Sequence, residues 1–267
     1  GGFFVTVVEN QASITLSVFD DGANEGPETL SFELALGVAY EVAPDASIVS
    51  LSIYDFEVVG GDEDETLVGG DADNSIAGEG GNDTSAGGRG NDVILGGDGD
   101  DVLRGDLNAR SPQDSGAGGN DIIFGGDGND RIGGKAGNDI LSGDAGDDLI
   151  YGDAGNDILM GVTGNDILVG DNFSDGSGSD LFVFGLGDGT DTVLDFEVGT
   201  DRIGIVEGEF TFADVTLTQD GANTVLGVST TGETLAVLNN VQASVLGESD
   251  FVTVSDVSNL DDALTLI

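Results

Sequence analysis

The chain has 267 residues, 52 of them acidic against six basic for a net charge of −46, and contains neither Cys nor His. That charge repels nucleic-acid phosphates and anionic membranes and attracts cations, while the missing Cys and His exclude disulfides, zinc and haem sites, and every histidine-dependent catalytic dyad or triad. Hydrophobic residues make up 38%, too many for a plain disordered acidic tail. The charge must therefore be neutralised from outside the chain before the apolar part can pack.

No charged-then-apolar leader and no long apolar run is present, so no signal peptide and no transmembrane segment are expected. The chain starts with Gly-Gly rather than Met and reads as the end of a longer protein. Residues 3–56 hold strand-length runs, FFVTVVE, ASITLSVFD, ETLSFELAL and ASIVSLSIYD, that alternate or run apolar. DDGANEGPETLSFELAL followed by YEVAPDASIVSLSIYD resembles the last strands of a Calx-β domain and covers about half of such a sandwich. The resemblance implies a partial β-sandwich over 1–58, with Glu25, Glu28 and Asp55, beside Asp20 and Asp21, where that family can bind calcium. A solvated acidic loop is the other reading of these carboxylates. A linker near Glu57 to Glu65 leads onward.

The next segment repeats every nine residues. Eight nonapeptides start at Gly87, Gly96, Gly116, Gly125, Gly134, Gly143, Gly152 and Gly161. Places one and four are Gly throughout, and place five is Asn or Asp. Place six is Asp in every copy: Asp92, Asp101, Asp121, Asp130, Asp139, Asp148, Asp157 and Asp166. Place eight is Ile or Leu: Ile94, Leu103, Ile123, Ile132, Leu141, Ile150, Leu159 and Leu168. Gly and Asn/Asp tolerate positive φ, so places one to six predict a tight turn. Places seven to nine are apolar or β-branched and predict a very short strand whose middle residue faces a core. Two turns and two strands close a coil of eighteen residues, and stacked coils build two parallel sheets.

Turns on one side then lie about 4.7–4.9 Å apart, the strand spacing. An ion midway sits about 2.4 Å from each turn, within the range of calcium–oxygen bonds and too long for magnesium. Residues 87–169 hold sixteen Asp, no Glu, four Arg and one Lys, net −11. About one shared divalent ion per turn would neutralise that. Empty turns would stack carboxylate against carboxylate.

The template resembles the GGxGxDxUx repeat of the RTX, or hemolysin-type calcium-binding, proteins, over roughly residues 60–255. The resemblance implies an all-β fold, a parallel β-roll over 59–183 with Ca2+ held between turns, in proteins exported by bacterial type I secretion. It implies carboxylate ligands at Asp83, Asp92, Asp101, Asp121, Asp130, Asp139, Asp148, Asp157, Asp166, Asp180, Asp191 and Asp201. Backbone carbonyls of Gly90, Gly99, Gly119, Gly128, Gly137, Gly146, Gly155 and Gly164 would join them, holding roughly six to ten ions.

Residues 60–86 keep the period weakly, with Glu65, Asn74 and Asp83 at place six and Leu67, Ile76 and Ser85 at place eight. A fraying first coil with poor or absent sites is expected. DLNARSPQDS (106–115) interrupts the repeat and reads as a surface loop that leaves Asp121 on the side of Asp92 and Asp139. A smaller expansion, Asp171 to Asp175, precedes Asp180. Place seven is apolar in all copies but Arg131 and should face outward, either for β-propensity alone or as a packing surface for another copy or a neighbouring domain. LFVFGLGDGTDTVLDFEVGTDRIGI (181–205) resembles the segment that ends RTX rolls, with Asp195 a further candidate ligand. Residues 184–254 are expected to cap the roll, with turns at Asp220-Gly221 and Thr231-Gly232. Residues 255–267, ending in DDALTLI, read as a frayed tail or, by the resemblance, as an uncleaved secretion signal.

Nothing in the chain carries catalysis. There is no HExxH, no G-x-S-x-G and no Walker A. The leading expectation is a secreted or cell-surface structural or adhesive calcium-binding module, bacterial and extracellular, that folds on meeting calcium after export. The alternative is the accessory and secretion region of an extracellular protease, lipase or epimerase whose catalytic domain lies upstream. An ice-binding solenoid would need flat Thr ladders, which the nonapeptides lack.

Overall fold

The computed structural model describes residues 58–106, 118–171 and 178–254 in full. Ahead of these it describes only the strands Thr6–Val8, Gln11–Ser13, Glu28–Glu33 and Ile48–Ile53. The chain divides into two units, Gly1–Asp55 and Phe56–Ile267. In the first, Thr6–Val8 pairs antiparallel with Gln11–Ser13, and Glu28–Glu33 with Ile48–Ile53. The expected linker is only partly described, and the 106–115 loop beyond Asp106, the end of the 171–175 expansion and the 255–267 tail lie outside the described residues.

The second unit is a parallel β-roll. Strands alternate between a nine-stranded and a ten-stranded sheet, so that each strand pairs with the strand one coil before and one coil after. The register is the repeat itself: Ile140 faces Ile158, and Ile132 faces Ile150, eighteen residues away. Across the interruption Val93 faces Ile122, so the extra residues leave both sheets in phase. The roll closes on the ten-stranded sheet with the antiparallel strands Val215–Asp220, Asn223–Val228 and Thr234–Leu238, the last lying parallel beside Asp191–Val193.

Place eight is the core. Ile76, Ile94, Leu103, Ile123, Ile132, Leu141, Ile150, Leu159 and Leu168 are all fully buried in one row-by-row cluster, which continues through Phe182, Phe184 and Ile203 into the cap. Each such side chain contributes about 1.5–3 kcal/mol on burial. Ser85 stands in the same row and is also fully buried. At the first coil the strands Val58–Val59 and Thr66–Val68 are shorter than those of the central repeats, and Val59 and Val68 are half exposed.

Two expectations need correction. The spacing predicts three-residue strands, whereas those of the central repeats run five or six residues, as in Ile140–Ala145 and Leu149–Ala154. The pairing skips the place-one glycine and resumes at place two, as where Gly126 faces Asp144 and Asp127 faces Ala145. Place seven does point away from the core, but on the nine-stranded sheet Ile122 and Ile140 are as buried as the core. They join Phe124, Met160 and Val183 in a second apolar cluster. On the ten-stranded sheet the equivalent Arg131 and Ile167 are exposed.

Place two adopts the left-handed region, with Gly97 and Gly126 at φ +109° and +106° but Glu79 at +74° and Val162 at +67°. A side chain there costs about 1–2 kcal/mol. Glycine returns about 0.5–1 kcal/mol of that as unfolded-state entropy. Glu79 is exposed, so Glu79→Gly should stabilise the roll by about 0.5–1 kcal/mol in denaturant melts. A loss of stability would contradict the assigned backbone.

Candidate metal centre

The turns are joined by two ladders of side-chain oxygens that run in opposite directions. At place five, each Asn or Asp accepts the backbone N–H of the same place one coil later. Asp100 Oδ1 accepts from Asn129 at 2.8 Å, and Asn129 Oδ1 accepts from Asp147 at 2.8 Å. At place six, each Asp accepts the N–H of the place-six residue one coil earlier. Asp121 Oδ1 accepts from Asp92, Asp139 from Asp121, and Asp157 from Asp139, all at 2.8 Å. Asp101, Asp130, Asp148, Asp166 and Asp180 repeat the pattern at 2.7–2.9 Å.

The two ladders differ in what the second oxygen meets. Place five is exposed and needs a single acceptor, so Asn and Asp serve equally. At place six, Oδ2 of Asp83, Asp92, Asp101, Asp121, Asp130, Asp139, Asp148, Asp157 and Asp166 is buried with no hydrogen-bond partner. A buried, unpartnered carboxylate oxygen is costly, and here it recurs in every coil.

Each of these oxygens looks into a small cradle. An ideal Cβ built on Gly87 would lie 2.1 Å from Asp92 Oδ2 and 2.4 Å from the Gly105 carbonyl oxygen. The same point on Gly96 lies 2.4 Å from Asp101 Oδ2 and 2.2 Å from the Gly125 carbonyl, and on Gly125 it lies 2.3 Å from Asp130 Oδ2 and 2.4 Å from the Gly143 carbonyl. A carboxylate oxygen of one coil and a carbonyl oxygen of the next thus crowd the space beside the place-one glycine, two hard oxygen donors where no side chain could fit. Eight such cradles occur, at Gly78, Gly87, Gly96, Gly105, Gly125, Gly134, Gly143 and Gly152. Gly105 stands beside Asp121 Oδ2 at the position that the spacing assigns to Gly116, so the interruption leaves the coil after place one rather than before it. Among the described residues no three acidic side chains close on a common metal position. The donor set is therefore mainly backbone carbonyl with few carboxylates, oxygen throughout, which suits a hard cation.

The place-four carbonyls lie elsewhere. Those of Gly90, Gly99, Gly119, Gly128, Gly137, Gly146, Gly155 and Gly164 each point along the stack at the corresponding glycine of the next coil. A Cβ there would stand only 1.4–1.9 Å from the carbonyl oxygen. Sequence reasoning missed the place-one carbonyls and the place-five ladder. The constancy of Asn or Asp at place five was the signal for the second, and nothing in the side-chain pattern marks which carbonyl turns inward.

At the ends the pattern changes. Glu65 Oε2 folds back onto the Gly61 N–H at 3.1 Å, and Asn74 Oδ1 onto that of Gly70 at 2.5 Å. Asp191 Oδ1 accepts from Asp166 at 3.0 Å. Asp201 uses both oxygens on backbone, from Asp180 at 3.0 Å and Glu197 at 2.7 Å. Asp195 clasps the Gly170 and Asp171 N–H groups at 3.0 Å each. Glu25, Asp55, Asp20 and Asp21 lie outside the described residues, and of Glu28 only the strand placement is described.

From Asp92 to Asp166, burial raises the place-six carboxyls above their ordinary value, with neighbouring carboxylates adding to it. Asp101 is pushed up to about 6, Asp92 and Asp130 to about 7, and Asp121, Asp148 and Asp157 to about 8. Asp139, in the middle of the stack, is raised well above the ordinary value by burial, then by Asp157 and Asp121. The stack holds these carboxyls comfortably only when a proton or a cation accompanies them.

A family model for the RTX calcium-binding nonapeptide repeat matches in four copies, at residues 59–94, 80–109, 115–141 and 133–168. The chain carries RTX calcium-binding repeats. RTX repeats are a structural calcium-binding module, typical of secreted or extracellular bacterial proteins, and no described helix is long and apolar enough to cross a membrane. No curated protein matches the chain. Among solved structures it is similar to the extracellular lipase LipA of Serratia marcescens at 22% identity, over 72% of this chain and 39% of that one, with a TM-score of 0.39. It is also similar to the AlgE6R3 subunit of the Azotobacter vinelandii mannuronan C5-epimerase, at 22% identity over 74% of this chain and 82% of that one, with a TM-score of 0.26. The RTX chain thus spans well under half of the lipase.

Proposed function

We propose that this region is a calcium-folded structural module of a secreted or cell-surface bacterial protein, exported unfolded and assembled outside the cell. The observation that carries the reading is the recurring meeting of an orphaned place-six Oδ2 with a place-one carbonyl of the next coil. Calcium would be held by the place-six aspartates from Asp83 to Asp157 with the carbonyls of Gly96, Gly105, Gly125, Gly134, Gly143, Gly152, Gly161 and Gly170, about one ion in each of these eight cradles among the described residues. Bound there, it supplies the positive charge that the stacked carboxylates lack. At low intracellular calcium the net charge of −46 favours an expanded chain. At high extracellular calcium, binding free energy becomes folding free energy.

Far-UV circular dichroism during a calcium titration from EDTA, with magnesium as control, tests this. A cooperative coil-to-β change with calcium alone is expected. A full β spectrum already present in EDTA at neutral pH would reduce the roll to a metal-independent solenoid. Within the same titration, Asp139→Ala should move the calcium midpoint upward far more than Asp98→Ala, because Asp98 is an exposed place-three residue. Equal shifts would break the assignment of place six.

A further inference from the structure

The outer face of the ten-stranded sheet gathers three of the chain's six basic residues. Gly133 sits at the centre of the group. Across the strands its register partners are Arg104 on one side and Tyr151 on the other. Along its own strand, Arg131 and Lys135 flank it on the same face. Because Gly133 has no side chain, the four neighbours wall a notch whose floor is backbone. The atoms nearest to a Cβ on Gly133 would be Lys135 Nζ at 3.5 Å, Cε at 3.6 Å and Asp153 Oδ2 at 3.7 Å.

The charges in the notch are incompletely matched. Lys135 Nζ pairs with Asp153 Oδ2 at 2.6 Å. The Arg131 guanidinium carbon stands 5.3 Å from the centroid of the Tyr151 ring, a stacked cation that needs no carboxylate. Arg104 is different. Its Nη1 is buried and has no hydrogen-bond partner. Among the described residues no carboxylate pairs with this guanidinium. A buried donor of that kind is normally satisfied, and a guanidinium presents a planar fork matched to an oxyanion.

We propose that the notch over Gly133 binds an oxyanion of an acidic ligand, gripped by Arg104 and Arg131 with Lys135 on the rim. Carboxylate and sulfate share the required chemistry. The overall negative charge does not forbid this, since at physiological salt charges beyond about 8 Å are screened, and the carboxylate at the notch, Asp153, is already paired with Lys135, which leaves the two arginines. The site lies on the outer face of the sheet, with Arg104, Gly133 and Tyr151 each one residue before a cradle glycine, so calcium is held constant in the test.

The test is a 15N NMR titration of the full chain in calcium chloride, following the arginine Nε–Hε signals and the Gly133 amide. Sodium sulfate and sodium acetate are the probes, with sodium chloride at matched ionic strength as reference. Saturable shifts at Arg104, Arg131 and Gly133 with sulfate or acetate are expected, and the tighter of the two identifies a tetrahedral or a planar oxyanion. Arg104→Gln should weaken binding by about tenfold, equivalent to about 1.4 kcal/mol, and should fold at least as well because it removes an unpartnered buried cation. Arg131→Gln is the second variant and should weaken binding in the same direction. Shifts that follow ionic strength alone, or an affinity unchanged in both variants, would overturn the site.

Discussion

Gly146→Ala is expected to collapse the calcium-folded roll, with a loss on the order of 4 kcal/mol. Gly146 holds φ +144°, and an ideal Cβ on it would stand 1.5 Å from the carbonyl oxygen of Gly128 and 2.5 Å from its carbon. Both obstacles are backbone, so no side chain can swing aside. Neither strand can retreat, because the Gly146 N–H donates to the Thr163 carbonyl at 2.8 Å and the next residue, Asp147, donates to Asn129 at 2.8 Å. Relief requires prising two coils apart, which opens the core between Ile132 and Ile150 and the cradles beside it. Gly221→Ala is the matched control. Its φ of +62° is equally left-handed, but nothing lies within 4 Å of the new Cβ, so only the conformational cost of about 1–2 kcal/mol applies. Denaturant midpoints in saturating calcium separate the two. Equal losses would mean that the coils are not in van der Waals contact at place four.

The roll was legible in the sequence because its period is short and each column has one job. Ile or Leu at place eight needs only the alternation of a strand to be assigned to the core, and the structure buries every one of them. That the interruption read at 106–115 leaves Asp121 on the side of Asp92 was legible too, since the two-sided coil needs it there, and their ladder contact at 2.8 Å agrees, although Gly105 and not Gly116 fills place one. What stayed hidden is what side-chain identity does not encode. The direction of the Gly105 or Gly125 carbonyl depends on the backbone path of the turn, and glycine permits several paths. The strand length was underestimated because Gly143 and Asp144 look like turn residues, yet Asp144 pairs with Gly126 on one side and Val162 on the other and carries the ladder on. The notch at Gly133 draws its walls from residues 104, 131, 135 and 151, and its register depends on an insertion of unequal length having been closed correctly first.

The same geometry says that protons and calcium compete for one place. A place-six carboxyl raised from 3.8 in the open chain to about 8 in the fold, as at Asp121, favours the folded state only while protonated. Its contribution is complete below about pH 4 and is lost as pH rises through 6 to 8, the range set by Asp101 at about 6, Asp130 at about 7 and Asp148 at about 8. In EDTA the roll should therefore be more stable at pH 5.5 than at pH 8, and a stability that rises over that interval would contradict the burial of these groups as carboxylic acids. With calcium the sign reverses. The ion replaces the protons, so the calcium midpoint should fall as pH rises from 6 to 8, with proton release measurable in buffers of different ionisation enthalpy. Asp139→Asn isolates the effect at one position. The amide oxygen keeps the hydrogen bond from the Asp121 N–H, while the group facing the cradle can no longer carry a charge. In EDTA at pH 8 this variant should be more stable than the parent chain, because it removes a buried carboxylate raised well above its ordinary value. In calcium it should be less stable, because the ion at that position has lost its only anionic partner in the cradle. A residue that merely packs would shift both conditions in the same direction, so opposite signs in the two melts are the outcome that a metal-ligand role demands.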